Sequence, residues 1–123
     1  GDYKVVANLE QECEKQQLPF LAITERNDQH QLADWLNTVQ PDYVFSVCYP
    51  FKISAEITGQ FRNRIFNFHP GPLPEFRGPA PIFEVIRQGA ETTALTVHSV
   101  SEEFDCGEVI FEEKIKINNE DTY

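Results

Sequence analysis

Arg64-Ile65-Phe66-Asn67-Phe68-His69-Pro70-Gly71-Pro72-Leu73-Pro74-Glu75-Phe76-Arg77-Gly78-Pro79-Ala80-Pro81-Ile82 is the stretch on which the fold turns. It opens as a strand over Arg64 to Phe68. Five prolines (Pro70, Pro72, Pro74, Pro79 and Pro81) then fix φ through a rigid connection. A helix begins with Pro81 at its first position, runs through Ile82, Val85 and Ile86, and has Gly89 just past its end. Strand, stiff loop and helix in that order are the unit from which open α/β sheets are built.

The segments on either side keep the alternation. Upstream, Ser54 to Gly59 predicts a short helix. Before it, Tyr43 to Cys48 is a charge-free β-rich run, as expected of a strand covered on both faces in a parallel sheet. Leu32, Trp35, Leu36 and Val39 recur at helical spacing behind Asp28 and Gln31, which form a capping-box pattern. Leu18 to Thr24 reads as a buried strand, and Asn8 to Gln17 as an exposed Glu- and Gln-rich helix stopped by Pro19. Downstream, Thr93 to Val100 alternates as a strand. Val109 to Ile117 alternates again, with Val109, Phe111, Ile115 and Ile117 on one face and Glu112, Lys114 and Lys116 on the other, as at a half-exposed antiparallel edge. The order predicts an α/β fold with an open, mostly parallel sheet and helices on both faces, whose ligand site lies beyond the carboxyl ends of the strands.

The 123 residues suffice for one domain. Ten Phe, four Tyr, one Trp and 41% hydrophobic residues can fill a core, which excludes wholesale disorder. A net charge of −10 disfavours generic binding to nucleic acid or to an anionic membrane. No apolar run reaches the roughly 18 residues of a membrane span. Cys13, Cys48 and Cys106 are odd in number and widely spaced, which suits a reducing, cytoplasmic compartment and core or incidental thiols.

Asn67 and His69 alternate onto one side of an extended segment, about 6.6 to 7 Å apart. Asp105 falls in the Ser101 to Gly107 loop after the next strand. A carboxamide, an imidazole and a carboxylate converging there would serve proton transfer and oxyanion stabilisation. On spacing alone another reading stands beside this one: Asn67 closes a turn, His69 caps a strand end, and Asp105 with Gly107 makes a hairpin. His98 reads as a core or supporting histidine, and His30 as exposed. Glu102 and Glu103 read as a solvated loop. Arg62, Arg64 and Arg77 could meet an anionic substrate or form surface salt bridges.

The run from Asn67 to Ile82, followed by Asp105-Cys106-Gly107, resembles the signature of folate-dependent formyltransferases, a family that includes enzymes acting on methionyl-tRNA, glycinamide ribonucleotide and nucleotide sugars. The likeness is dense from Val44 to Ile110. Gly71 and Cys106 depart from the family's usual residues, which implies tuning rather than loss. The resemblance implies a Rossmann-like sheet that lacks the family's first strand, and residues 1–123 as a catalytic domain truncated at both ends, with which the absence of methionine agrees. It also implies transfer of a formyl group from 10-formyltetrahydrofolate to an amine without a metal. Asn67 and protonated His69 would donate to the formyl oxygen, and Asp105 would orient His69 and help carry the amine proton. The pterin would lie among Phe51, Lys52, Ile53, Glu103 and Phe104, although plain core packing serves Phe51 and Ile53 equally. The charge favours a small acceptor, such as a nucleotide sugar, over tRNA. Hydrolysis of the same folate and a non-catalytic folate-binding or assembly role are the alternatives.

Overall fold

A computed structural model describes residues 3–25, 28–101, 103 and 105–122, with side chains from residue 8 onward. By internal contacts the chain divides into two units, residues 1–41 and 42–123.

The first unit holds two helices, α1 (Tyr3–Lys15) and α2 (Gln29–Val39). In α2 the buried positions are Ala33 and Leu36. Asp28 occupies the N-cap but makes no capping bond to the helix backbone. Its carboxylate instead accepts from the Glu25 backbone N–H at 3.2 Å and from the Gln31 side chain at 3.5 Å, so the expected capping box is replaced by a local turn. The predicted strand over Leu18 to Thr24 does not form. Its apolar composition suits a sheet, but a strand needs a neighbour to pair with, and no described segment pairs with it.

The second unit is a four-stranded sheet in the order β1-β2-β3-β4, comprising Val44–Val47, Ile65–His69, Thr92–Ser99 and Val109–Lys116. Helix α3 (Ala55–Gln60) links β1 to β2, and α4 (Pro81–Arg87) links β2 to β3. Ser54 starts α3, its hydroxyl accepting from the Ile57 N–H at 3.4 Å. Pro81 starts α4 as predicted, and Gly89, at φ 67°, follows its end. The sheet is mixed rather than mostly parallel: β1 pairs parallel with β2, while the β2–β3 and β3–β4 pairings are antiparallel. The core of this unit is Ile57, Phe61, Ile65, Val85 and Ala94.

Coverage of β1 also differs from expectation. Phe45 and Val47 are 62% and 63% exposed, on the face where Phe45 touches the rings of Phe66 and Phe68 at 6.2 and 6.0 Å. The opposite face carries the buried residues Ile65, His69, Ala94, Thr96 and His98.

Gly59 lies inside α3, and a Cβ added there would meet nothing within 4 Å. Gly59→Ala is therefore expected to stabilise the chain by about 0.4–1 kcal/mol, mainly by restricting the unfolded chain. The midpoint of thermal unfolding checks this.

Candidate active site

Strand pairing assembles the site. Because β1 and β2 are parallel, with Val47 opposite Phe68, the segment after β1 emerges beside the end of β2. Across the other edge of β2, Asn67 is opposite His98 and His69 is opposite Thr96. Opposed residues share a face, so two predicted residues of β2 and one histidine of β3 line up on the buried side.

Asp105 reaches them by a route different from the expected one. Since β3 runs antiparallel to β2, with Phe66 opposite Ser99, its carboxyl end lies at the opposite end of the sheet from His69. The connection to β4 therefore turns back, with Asp105 in a left-handed conformation at φ 50°. Its Oδ2 accepts from the Gly78 N–H at 3.0 Å, and its backbone carbonyl accepts from Arg77 Nε at 3.3 Å. The proline-rich loop and the β3–β4 connection are thus joined at one residue. Oδ1 lies 3.6 Å from His69 Nδ1 and 3.4 Å from His98 Nε2.

The chemistry of the partners sets the hydrogens. A carbonyl can only accept, so His69 Nε2, 2.6 Å from the Phe76 carbonyl oxygen, carries a proton. By the same argument His98 donates from Nδ1 to the Ser99 carbonyl at 2.9 Å. In the neutral ring its Nε2 then accepts from Asn67 Nδ2 at 3.2 Å. That bond orients the Asn67 carboxamide and leaves it a second N–H to offer. Both histidines are almost fully buried, and their rings meet edge to face at 6.4 Å.

These groups line one cavity of about 600 Å³. Of the predicted ligand contacts, Phe51, Lys52, Ile53 and Glu103 line it as well. Phe104, like Glu102, lies outside the described residues. Two further features shape the cavity. Thr96, fully buried, donates to the Gly71 carbonyl at 2.8 Å and pins the start of the proline-rich loop. A Cβ at Gly71 would come within 2.8 Å of Pro81 Cβ, so a side chain there would displace the start of α4. Cys48, at φ 53°, also borders the cavity and is a free, exposed thiol. Among the described residues no group of His, Cys, Asp and Glu is placed to hold a metal ion.

Sequence reasoning set His98 aside as a core or supporting residue. The structure places it between Asn67 and Asp105. The available signal was its position in the file Ala94, Thr96, His98, an alternating buried face that becomes polar toward the loop carrying Asp105.

The formyl transferase family matches residues 5–123. The chain belongs to that family. Among its relatives, methionyl-tRNA formyltransferase of Thermotoga maritima is 28% identical over 111 residues, covering 90% of this chain and 35% of that protein. Formyltetrahydrofolate deformylase of Escherichia coli is 30% identical over 111 residues, covering 86% and 40%. The crystal structure of phosphoribosylglycinamide formyltransferase from Bacillus halodurans matches with a TM-score of 0.82 at 28% identity, covering 91% of this chain and 61% of that one. The chain therefore spans well under half the length of these two sequence relatives. The likeness to the solved formyltransferase identifies the four strands and their helices as part of a Rossmann-like formyltransferase fold. No helix among the described residues is long and apolar enough to cross a membrane.

Proposed function

We propose that this formyl transferase domain moves a formyl group from 10-formyltetrahydrofolate to an amine, with Asn67, His69 and Asp105 as its catalytic residues. The observation that carries the reading is the gathering of a carboxamide, an imidazole and a buried carboxylate on one wall of a cavity large enough for the folate head group. The amine nitrogen attacks the formyl carbon, and negative charge grows on the formyl oxygen. Expulsion of the folate nitrogen then breaks the old C–N bond, and the proton lost by the amine goes to that leaving nitrogen. The free N–H of Asn67 donates to the formyl oxygen. For His69 to donate as well, its Nε2–H exchanges the Phe76 carbonyl for the substrate oxygen. Asp105 stands beside Nδ1 of the same ring, where it holds the imidazole and relays the amine proton through water. Phe51 and Ile53 cover the pterin, and Lys52 and Glu103 line the same cavity.

The net charge of −10 favours a small amine, such as that of a nucleotide sugar, over one carried on tRNA. A second reading, hydrolysis with water in place of the amine, draws support from the 30% identity to the deformylase. Incubation with 10-formyltetrahydrofolate and a panel of amines separates the two. Amine-dependent formation of an N-formyl product is expected. Formate released at the same rate without any amine would favour hydrolysis, and neither product would reject both.

A further inference from the structure

His69 and His98 are buried with their ring centres 6.4 Å apart, and one anion stands beside both. Asp105 Oδ1 lies 3.6 Å from Nδ1 of the first and 3.4 Å from Nε2 of the second. Two cationic rings beside a single carboxylate repel each other, so the neighbours of each ring decide which one carries the charge. Both nitrogens of His69 face acceptors, the Phe76 carbonyl and Asp105, and only an imidazolium has a proton for each. His98 faces an acceptor at Nδ1, the Ser99 carbonyl, but at Nε2 it meets a donor, Asn67 Nδ2, at 3.2 Å. A ring protonated at Nδ1 alone fits that pair.

We propose that His98 is a positioning residue that acts as a neutral ring, its bare Nε2 fixing which end of the Asn67 carboxamide faces the formyl oxygen, while the positive charge is held on His69. The inference rests on the donor role proposed for Asn67. A proton arriving at His98 Nε2 would undo the arrangement. That N–H cannot accept from Asn67. Its acceptors are Asp105 Oδ1, 3.4 Å away, and the Asn67 carbonyl oxygen, which reaches it when the carboxamide turns over. Turned over, Asn67 no longer holds its second N–H toward the formyl oxygen, and Asp105 is drawn from His69 toward His98. One protonation thus removes one donor and loosens the support of the other. The remaining charged groups around His98 come from three segments. Lys52, after β1, and Glu103, in the β3–β4 connection, line the same cavity, and Arg77 of the proline-rich loop is bonded to the Asp105 carbonyl. From β4 the residue opposite His98 is the uncharged Val109.

Two measurements test this, the first without turnover. Nitrogen-15 NMR of the unaltered chain, titrated between about pH 8 and 5, where imidazoles change charge, reads the protons on each ring nitrogen. It also reads the Asn67 side-chain amide, assigned by its loss in Asn67→Asp. Wherever only one of the two rings is charged, the charge is expected on His69, with His98 protonated at Nδ1 alone. As His98 Nε2 gains its proton, the Asn67 amide signals should shift with the same midpoint. A charged His98 beside a neutral His69, or an Asn67 amide indifferent to His98, would overturn the proposal whether or not the chain transfers formyl groups. The second measurement reads rate at saturating folate. His98→Leu removes the acceptor and should lower kcat by about 10-fold or more, toward the 10²- to 10³-fold cost of one oxyanion donor, with the KM for folate changed less. His98→Gln sets an amide oxygen near the place of Nε2 and cannot be protonated, so it should recover most of that loss. With the same amine, the rate of His98→Gln relative to the unaltered chain should climb as the pH falls, by up to about tenfold per pH unit once His98 is charged. Protonation of the amine itself cancels in that ratio. A flat ratio, or a glutamine variant no faster than the leucine one, would reject the positioning role while leaving formyl transfer standing.

Discussion

His69→Ala is expected to lower formyl transfer by about 10²- to 10³-fold, the usual cost of removing one donor to a developing oxyanion, while the chain stays folded. Folding should survive because the groups left behind keep partners. Asp105 retains the Gly78 N–H at 3.0 Å, so its carboxylate is not abandoned. The Phe76 carbonyl loses the imidazole, which costs about 1–3 kcal/mol if the oxygen stays unsatisfied. Product formation with saturating folate, read beside a thermal melt, gives the answer. A folded variant with undiminished rate would remove His69 from the chemistry.

The second large effect concerns Gly107. Ser99 and Glu108 clasp the base of the β3–β4 connection, with the Ser99 N–H donating to the Glu108 carbonyl and the Glu108 N–H donating to the Ser99 hydroxyl, both at 2.9 Å. Gly107 lies so close beneath this clasp that an added Cβ would run into the Ser99 carbonyl, 2.6 Å from its carbon. No rotamer change relieves an overlap with backbone. Gly107→Ala should therefore force the connection off the strand, at a cost of about 3 kcal/mol or more. The melting temperature should fall by roughly 10 °C or more, and activity should fall with it because Asp105 rides on the displaced segment. Set against the stabilising change expected at Gly59, this predicts opposite signs for the same substitution, decided by what each Cβ would meet. An unchanged melting point for Gly107→Ala would show that the connection yields easily.

Much of this was legible in the residues because it rests on local rules. Proline at the first turn and glycine beyond the last bounded α4, Ser54 marked the start of α3, and β-rich composition for β1 and β2 with alternation for β3 and β4 placed the four strands to within about a residue or two of their observed ends. What was not legible depends on pairing. Leu18 to Thr24 has the composition of a strand, yet composition supplies no neighbour to accept its hydrogen bonds. The direction of β3 was equally hidden, since the connection around α4 is long enough to return the chain either way. The strict alternation of β3, buried at Ala94, Thr96 and His98, was the one hint of a half-covered antiparallel strand. Asn67, His69 and Asp105 were singled out because they stand in a recognisable run, and the fold brings the three to one cavity. His98 was read as a core or supporting residue, and its particular place beside Asn67 was hidden because it is fixed by register, which no single strand contains.

The double attachment of Asp105 couples two properties that could have been independent. Gly78 and Arg77 hold it from the proline-rich loop, one through the carboxylate and one through the backbone. A movement that pulled this loop away from the β3–β4 connection would break both bonds and take from the carboxylate its Gly78 donor. The place of the carboxylate beside the two imidazoles is thus tied to the place of the proline-rich loop, two features that lie far apart in the chain.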